Sequence, residues 1–229
     1  MIRQSSNSIK GLFISFSGMD GAGKSTQIDM LSNHFTKIGE TPVIIWTRGG
    51  YTKLFDGLKA IVRKLFCKRL PPSGHNPKRN LAFSRWWIRC LWLNLALADL
   101  LWVYGVQIRL FRCLKRVVIC DRYLWDTAID FRLNFPQEKL DNYFLWRLLV
   151  KIAPEPDVAF LMLVTVEESV RRSKIKDEPF PDPPEVLQER LERYLTLTKK
   201  LPFHVLDGSE SAAKLQKDIL TSLKNVSLS

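Results

Sequence analysis

Cysteine and histidine are scarce in this chain: four and three residues in 229. Cys67, Cys90, Cys113 and Cys120 form no CxxC pair, and His34, His75 and His204 are scattered. A disulfide scaffold and a structural zinc site are therefore not expected, and a reducing compartment, the cytoplasm, fits best. The first ten residues are polar and lack the apolar stretch of a signal peptide. No internal repeat is visible. Acidic residues are also missing from one long region. From Gly57 to Arg116 a single acid, Asp99, stands against 13 Lys and Arg, an excess that equals the +12 of the whole chain. Such a segment attracts an anion, whether a phosphorylated substrate, nucleic acid or an acidic membrane surface, or else it is a solvated basic face.

What is present is ordinary for a folded protein. Hydrophobic residues make up 46% and charged residues 25%, which excludes disordered and fibrous classes. The length suits one large domain or two very small ones, with core enough to need no staples. We read residues 1–229 as a single domain. Apolar runs at residues 12–16, 43–46, 117–120, 158–164 and 203–206 predict five buried strands, all but the fourth closely followed by Gly, Asp or Arg. Between the first two, Ile28, Leu31, Phe35 and Ile38 recur at helical spacing and Gly39 stops the helix. Strands alternating with helices predict an α/β fold with a five-stranded parallel sheet covered on both faces. Its ligand is expected at the carboxyl ends of the strands. Residues 71–77 and 179–184 are proline-rich and predict loops. Residues 86–106 hold four of the seven tryptophans but also Arg89, Asn94 and Asp99. Charge inside a membrane span is costly, so a buried central helix is expected, with peripheral membrane contact as the lesser reading.

The chemistry is concentrated in Gly18-Met19-Asp20-Gly21-Ala22-Gly23-Lys24-Ser25, which fits GxxxxGK[ST] between a predicted strand and a predicted helix. Glycines let consecutive backbone N–H groups turn toward phosphate, and the helix N-terminus adds positive potential. Gly18, Gly21, Ala22, Gly23, Lys24, Ser25 and Thr26 are the candidate ATP-binding residues. Lys24 reaches the β- and γ-phosphates and Ser25 holds Mg²⁺. Lys24, at a helix start on an exposed loop, should be removable at little cost in stability. Asp121 ends a strand as a second metal-side acid, with Arg122 beside it, although a surface ion pair reads the same way. Arg171, Arg172, Lys174 and Lys176 put four cations into six residues. They either close over a transferring phosphoryl group or form a solvated helix face.

Taken together these residues resemble the thymidylate kinase family of P-loop nucleoside monophosphate kinases. FISFSGMDGAGKSTQ is similar to its P-loop, Thr47-Arg48-Gly49-Gly50 to its TRExGG element, Asp121-Arg122-Tyr123 to its DRY element, and His204-Val205-Leu206-Asp207-Gly208-Ser209 to its late strand and turn. The resemblance implies an ATP donor, Mg²⁺, a basic lid at about 170–185 and a homodimer formed through helices, for which residues 86–106 are the candidate. It also implies Asp20 near the acceptor's sugar and phosphate, and Arg48 and Arg122 flanking the acceptor phosphate. Tyr123 and Asp126 fall in the same acceptor region. Arg171, Arg172 or Lys174 becomes the lid cation, and Lys24, Asp20, Arg122 and Arg172 the catalytic set.

The acceptor side departs from the family. Counting back from the DRY element puts Ala96 and Leu100 where the family has a base-stacking aromatic and a phosphate-binding arginine. A second register through Phe83-Ser84-Arg85 needs extra chain. The family's Ser and Tyr-Gln positions read Asp126, Asp130 and Phe131. Asp126 and Asp130, four apart on one helix face, are expected either to receive hydrogen bonds from an acceptor or to neutralise arginines such as Arg122 or Arg132. This predicts an ATP-dependent phosphotransferase acting on dTMP or a related nucleoside monophosphate, with poor dTMP turnover. A kinase for a different small acceptor and a P-loop module binding nucleic acid are the rivals. No RNA- or DNA-binding motif supports the last.

Overall fold

The computed structural model describes residues 10–47, 83–177 and 181–227. Arg48, Cys67, the first proline-rich loop and residues 57–82 of the basic segment lie outside them, as do residues 178–180 at the start of the second.

The first strand, β1 (Phe13–Gly18), is buried at all six positions, as a strand must be when helices cover both faces of its sheet. Around it lie β2 (Val43–Trp46), β3 (Val118–Asp121), β4 (Val158–Leu163) and β5 (His204–Asp207) in the order β2-β3-β1-β4-β5. All four pairings are parallel, with Phe13 opposite Val118 and Ile14 opposite Val158. The strands fall within two residues of the apolar runs that predicted them. The chain reverses direction across the sheet at β1 and β3, so the strand ends there open a crevice.

Two apolar cores flank the sheet. On one side α1 (Lys24–Lys37) and α8 (Ala212–Ser227) pack on the sheet, and α7 (Pro184–Thr198) adds Leu187 and Tyr194 to the same apolar cluster. Ile28, Leu31 and Phe35 of α1 point inward as their spacing predicts, and Ile38, just past the helix, is half exposed. On the other side a long helix runs from Trp86 to Cys113. It comprises α2 (Trp86–Trp102), a π-helical turn (Val103–Gln107) and α3 (Ile108–Cys113). It packs on α5 (Phe144–Ile152) and on α4 (Leu124–Asn134), which contributes to both cores. At Gly105 a Cβ would come within 2.7 Å of the Ile152 Cδ1, so the π-turn sits where α5 approaches closely and a larger residue would require the Ile152 side chain to shift.

The long helix is less buried than its composition predicts. It is apolar and long enough to cross a membrane by those measures alone, and 44% of its apolar window is buried. Leu93, Leu97, Leu100 and Tyr104 face the core, while Trp86, Trp102, Val106 and Leu110 stay substantially exposed. The last helix near the crevice is α6 (Val166–Ile175), capped by Thr165, whose hydroxyl accepts from the Glu168 N–H.

Candidate active site

β1 delivers the chain into the glycine-rich loop. At Gly18, φ is +132°, and a Cβ would lie 1.9 Å from the Met162 carbonyl oxygen on neighbouring β4. No other residue fits. The Gly18 N–H donates to Asp126, so Gly18 shapes the loop rather than facing its mouth. Ala22 is fully buried in the core beneath the loop. Past these two, Asp20, Gly21, Gly23, Lys24, Ser25 and Thr26 line a polar cleft together with Trp46, Asp121, Arg122 and Lys176. Gly23 is the N-cap of α1, so the free N–H groups of its first turn point into the cleft.

Lys24 is not on an exposed loop, as its sequence position suggested: it is 8% exposed. Its Nζ donates to the carbonyls of Gly18 (3.0 Å) and Met19 (2.7 Å). Burial, aided by the nearby Arg122 charge, pulls its pKa down to about 8. An anion in the cleft would reverse that shift. Burial raises the Asp121 pKa, and its Oδ1 is buried without a hydrogen-bond partner among the described residues. Ser25 and Asp121 thus offer oxygen ligands in one cleft, which fits a hard cation such as Mg²⁺. Among the described residues no cluster of three or more His, Cys, Asp or Glu would hold a metal unaided, and Mg²⁺ shared with phosphates needs none.

Arg122 is the strained member. Its φ is +72°, a left-handed conformation costing a non-glycine residue roughly 1–2 kcal/mol. Its N–H donates to Phe16 O (2.8 Å) and its carbonyl accepts from the Thr47 hydroxyl (2.6 Å). The turn aims the buried guanidinium at Asp20, with which it pairs, and among the described residues leaves Nη1 without a hydrogen bond, 3.7 Å from Asp126. Burial opposes its charge, but Asp20 and its other neighbours outweigh burial and hold its pKa well above the usual value.

Other expected acceptor residues turn away from the cleft. Tyr123 is 1% exposed. Its ring packs on Phe13 and Tyr104, and its hydroxyl donates to Pro154 O. Asp126 is enclosed by the protein's own donors: the hydroxyls of Ser17 (2.6 Å) and Tyr194 (2.5 Å) and the N–H groups of Gly18 and Tyr123. Its carboxylate has no capacity left for a substrate. Asp130 pairs with buried Arg190, which also binds Asp182. Arg132, one of the expected partners, pairs with Asp141 instead. Ala96 and Leu100 are both fully buried in the second core. Between them and the DRY element lies the π-turn, which accommodates one residue more than an α-turn and so rotates the side chains before it by about 100° relative to an unbroken α-helix. The departures that predicted poor dTMP turnover therefore describe the core rather than the pocket.

The lid cations separate by helical face. Ser169, Arg172 and Lys176 lie on the side of α6 and its following turn that meets the P-loop. The Ser169 hydroxyl donates to Asp20 O, and Arg172 Nη1 donates to the carbonyls of Gly21 and Gly208, 2.9 Å each. Lys176, one turn beyond Arg172, reaches the cleft. Arg171 is occupied by Glu168 on the outer face, and Lys174 is exposed. Lys176 is the cation that choosing among Arg171, Arg172 and Lys174 overlooked; its i,i+4 spacing from Arg172 was the available signal. Trp46 was also missed: it is a strand residue, and only the sheet order brings it to the cleft.

Fold and cleft place the chain among the P-loop kinases. The thymidylate kinase family model matches residues 106–219. The thymidylate kinase of Desulfotalea psychrophila is 30% identical over 225 residues, covering 94% of this chain and 96% of that protein. A probable thymidylate kinase of Methanocaldococcus jannaschii is 25% identical, covering 95% and 98%. The crystal structure of Ehrlichia chaffeensis thymidylate kinase superposes with a TM-score of 0.58 at 20% identity over 93% of this chain, a likeness of fold. The chain belongs to the thymidylate kinase family, whose members are nucleoside monophosphate kinases.

Proposed function

We propose that this kinase transfers the γ-phosphoryl of ATP to dTMP. An oxygen of the acceptor's phosphate attacks the γ-phosphorus, the bond to the β–γ bridging oxygen breaks, and ADP leaves. The observation that carries the reading is the convergence of Lys24 and Arg122, two buried cations from different elements, on one cleft. Phosphoryl transfer asks for positioning and charge neutralisation, and the cleft supplies both.

The N–H groups of residues 21–26 cradle the donor phosphates, and Lys24 leaves its resting carbonyls for the β- and γ-phosphates. Ser25 and Asp121 hold Mg²⁺, which when bound neutralises charge between the phosphates. Arg122 Nη1, which makes no hydrogen bond among the described residues, takes the acceptor phosphate. Asp20 holds Arg122 in place, and Arg48 is proposed as a second acceptor cation. Lys176 is the lid cation nearest the transferring group, and Arg172 braces the P-loop against the turn after β5. The exposed stripe Trp102, Val106 and Leu110 is a candidate dimer face, and the protein is proposed to work in the cytoplasm. Likeness to kinases along nearly the whole chain weighs against the nucleic-acid module and the unrelated small acceptor. The test is coupled ADP release with dTMP, other nucleoside monophosphates, nucleosides and sugars, in wild type and Lys24→Ala. dTMP-dependent turnover, lost in Lys24→Ala, is expected; turnover without acceptor, or with sugars alone, overturns the reading.

A further inference from the structure

Arg122 is held by a hydrogen-bond chain that begins in the long helix. Tyr104 lies in the π-turn and is fully buried. Its hydroxyl donates to Thr47 Oγ1 at 3.1 Å and lies 3.4 Å from Thr127 Oγ1. The Thr47 hydroxyl has one proton and spends it on the Arg122 carbonyl at 2.6 Å. Thr47 therefore has to receive from Tyr104, and the chain runs one way: Tyr104 to Thr47 to Arg122. The Thr47 N–H meanwhile donates to Asp121 O, so one residue at the end of β2 grips both peptides of the acid–arginine pair. Where Arg122 turns left-handed it leaves the regular β ladder, and a side-chain hydroxyl replaces the lost main-chain partner. The π-turn is what rotates Tyr104 onto that hydroxyl, with its ring 4.6 Å from that of Tyr123.

We infer that Tyr104 and Thr47 are positioning residues that hold Arg122 in its left-handed, acceptor-facing conformation, so that the π-turn of the long helix sets the acceptor phosphate site. This rests on the reading of Arg122 as the acceptor-phosphate residue. Neither side chain lines the cleft among the described residues, so any kinetic effect has to pass through another group.

The experiment measures KM for dTMP and for ATP, with kcat, in Tyr104→Phe, Thr47→Val, Thr47→Ser, Arg122→Ala and the double variant Tyr104→Phe/Arg122→Ala. Melting curves show that each variant is folded. Tyr104→Phe keeps the ring packing and Thr47→Ser keeps the hydroxyl. The expected result is a KM for dTMP raised roughly three- to tenfold in Tyr104→Phe and Thr47→Val, the worth of one buried hydrogen bond. KM for ATP stays unchanged, Thr47→Ser restores wild-type behaviour, and Tyr104→Phe adds nothing once Arg122 is alanine. Equal effects on both substrates, or additivity in the double variant, would make the chain merely structural and overturn the inference. If Arg122→Ala raises KM for dTMP and Tyr104→Phe does not, the relay fails while the acceptor reading stands. If Arg122→Ala leaves dTMP binding intact, the acceptor reading fails and the relay with it.

Discussion

The two halves of the cleft are built differently. The donor half comes from one continuous stretch, residues 20–26, held between β1 and α1. The acceptor half is assembled from the end of β2, the end of β3 and the turn after α6, with Arg122 and its supports drawn from four separate elements. In the donor half the residue types state their role, because the loop backbone does the work and only glycine permits its path. In the acceptor half the same residue type does opposite jobs. Asp121 lines the cleft and keeps an oxygen without a hydrogen bond among the described residues, whereas Asp126, five residues on, is saturated by internal donors. A carboxylate near an active site is thus a ligand or a brace according to how many of its lone pairs the protein has already used.

That contrast can be broken by mutation, and the largest effect is expected in the braces. The Asp130–Arg190 pair is nearly fully buried, and removing one partner strands the other charge. Asp130→Ala is expected to lower stability by about 3–5 kcal/mol in urea unfolding, with KM for dTMP unchanged in the folded protein. A specific loss of dTMP affinity at unchanged stability would return Asp130 to the pocket.

Next is Lys24→Ala, the opposite case of function without structural cost. Loss of this charge should reduce kcat by about 10²–10³, the worth of one preorganised donor in comparable sites. Because Lys24 is buried at a cost to its charge, its melting temperature should not fall. A fall of several degrees would mean that the two carbonyl hydrogen bonds hold the loop together.

Smaller again is the lid. Lys176→Ala is expected to lower kcat by about tenfold, roughly 1.4 kcal/mol of transition-state stabilisation, with little change in KM for ATP. Lys174→Ala, on the outer face, should be near neutral. Reversed results would move the lid's working face by half a helical turn.

A further expected effect is a pH dependence confined to the donor half. Lys24 titrates near 8 in the free protein against 10.5 ordinarily. Below pH 8 it is charged and ready for phosphate. As pH rises from 8 toward 10.5 the free folded protein has already lost the proton, while the unfolded chain keeps it. Folding stability therefore gains from this group in that window, and ATP affinity falls by up to about tenfold per pH unit. Lys24→Ala should abolish that slope, and KM for the acceptor should not share it.

Much of this was legible in the order of residues. Five apolar runs, four of them closely followed by Gly, Asp or Arg, are enough for a parallel sheet with its site at the strand ends, because burial on both faces admits no polar alternation. The phosphate loop was readable because its constraints are local: a glycine against a neighbouring strand, a lysine one step into a helix. What the sequence could not decide were directions. Tyr123 reads like an acceptor ligand until its ring is seen packed on Phe13 and Tyr104. Asp130 reads like one until Arg190, 60 residues away, closes on it. Ala96 and Leu100 occupy the acceptor slots by counting, yet both are buried in the second core. Local rules fix which atoms a segment carries and how its backbone bends. Where a side chain points, and whether its hydrogen-bonding capacity is already spent, depends on partners that only the packing of distant elements brings within reach.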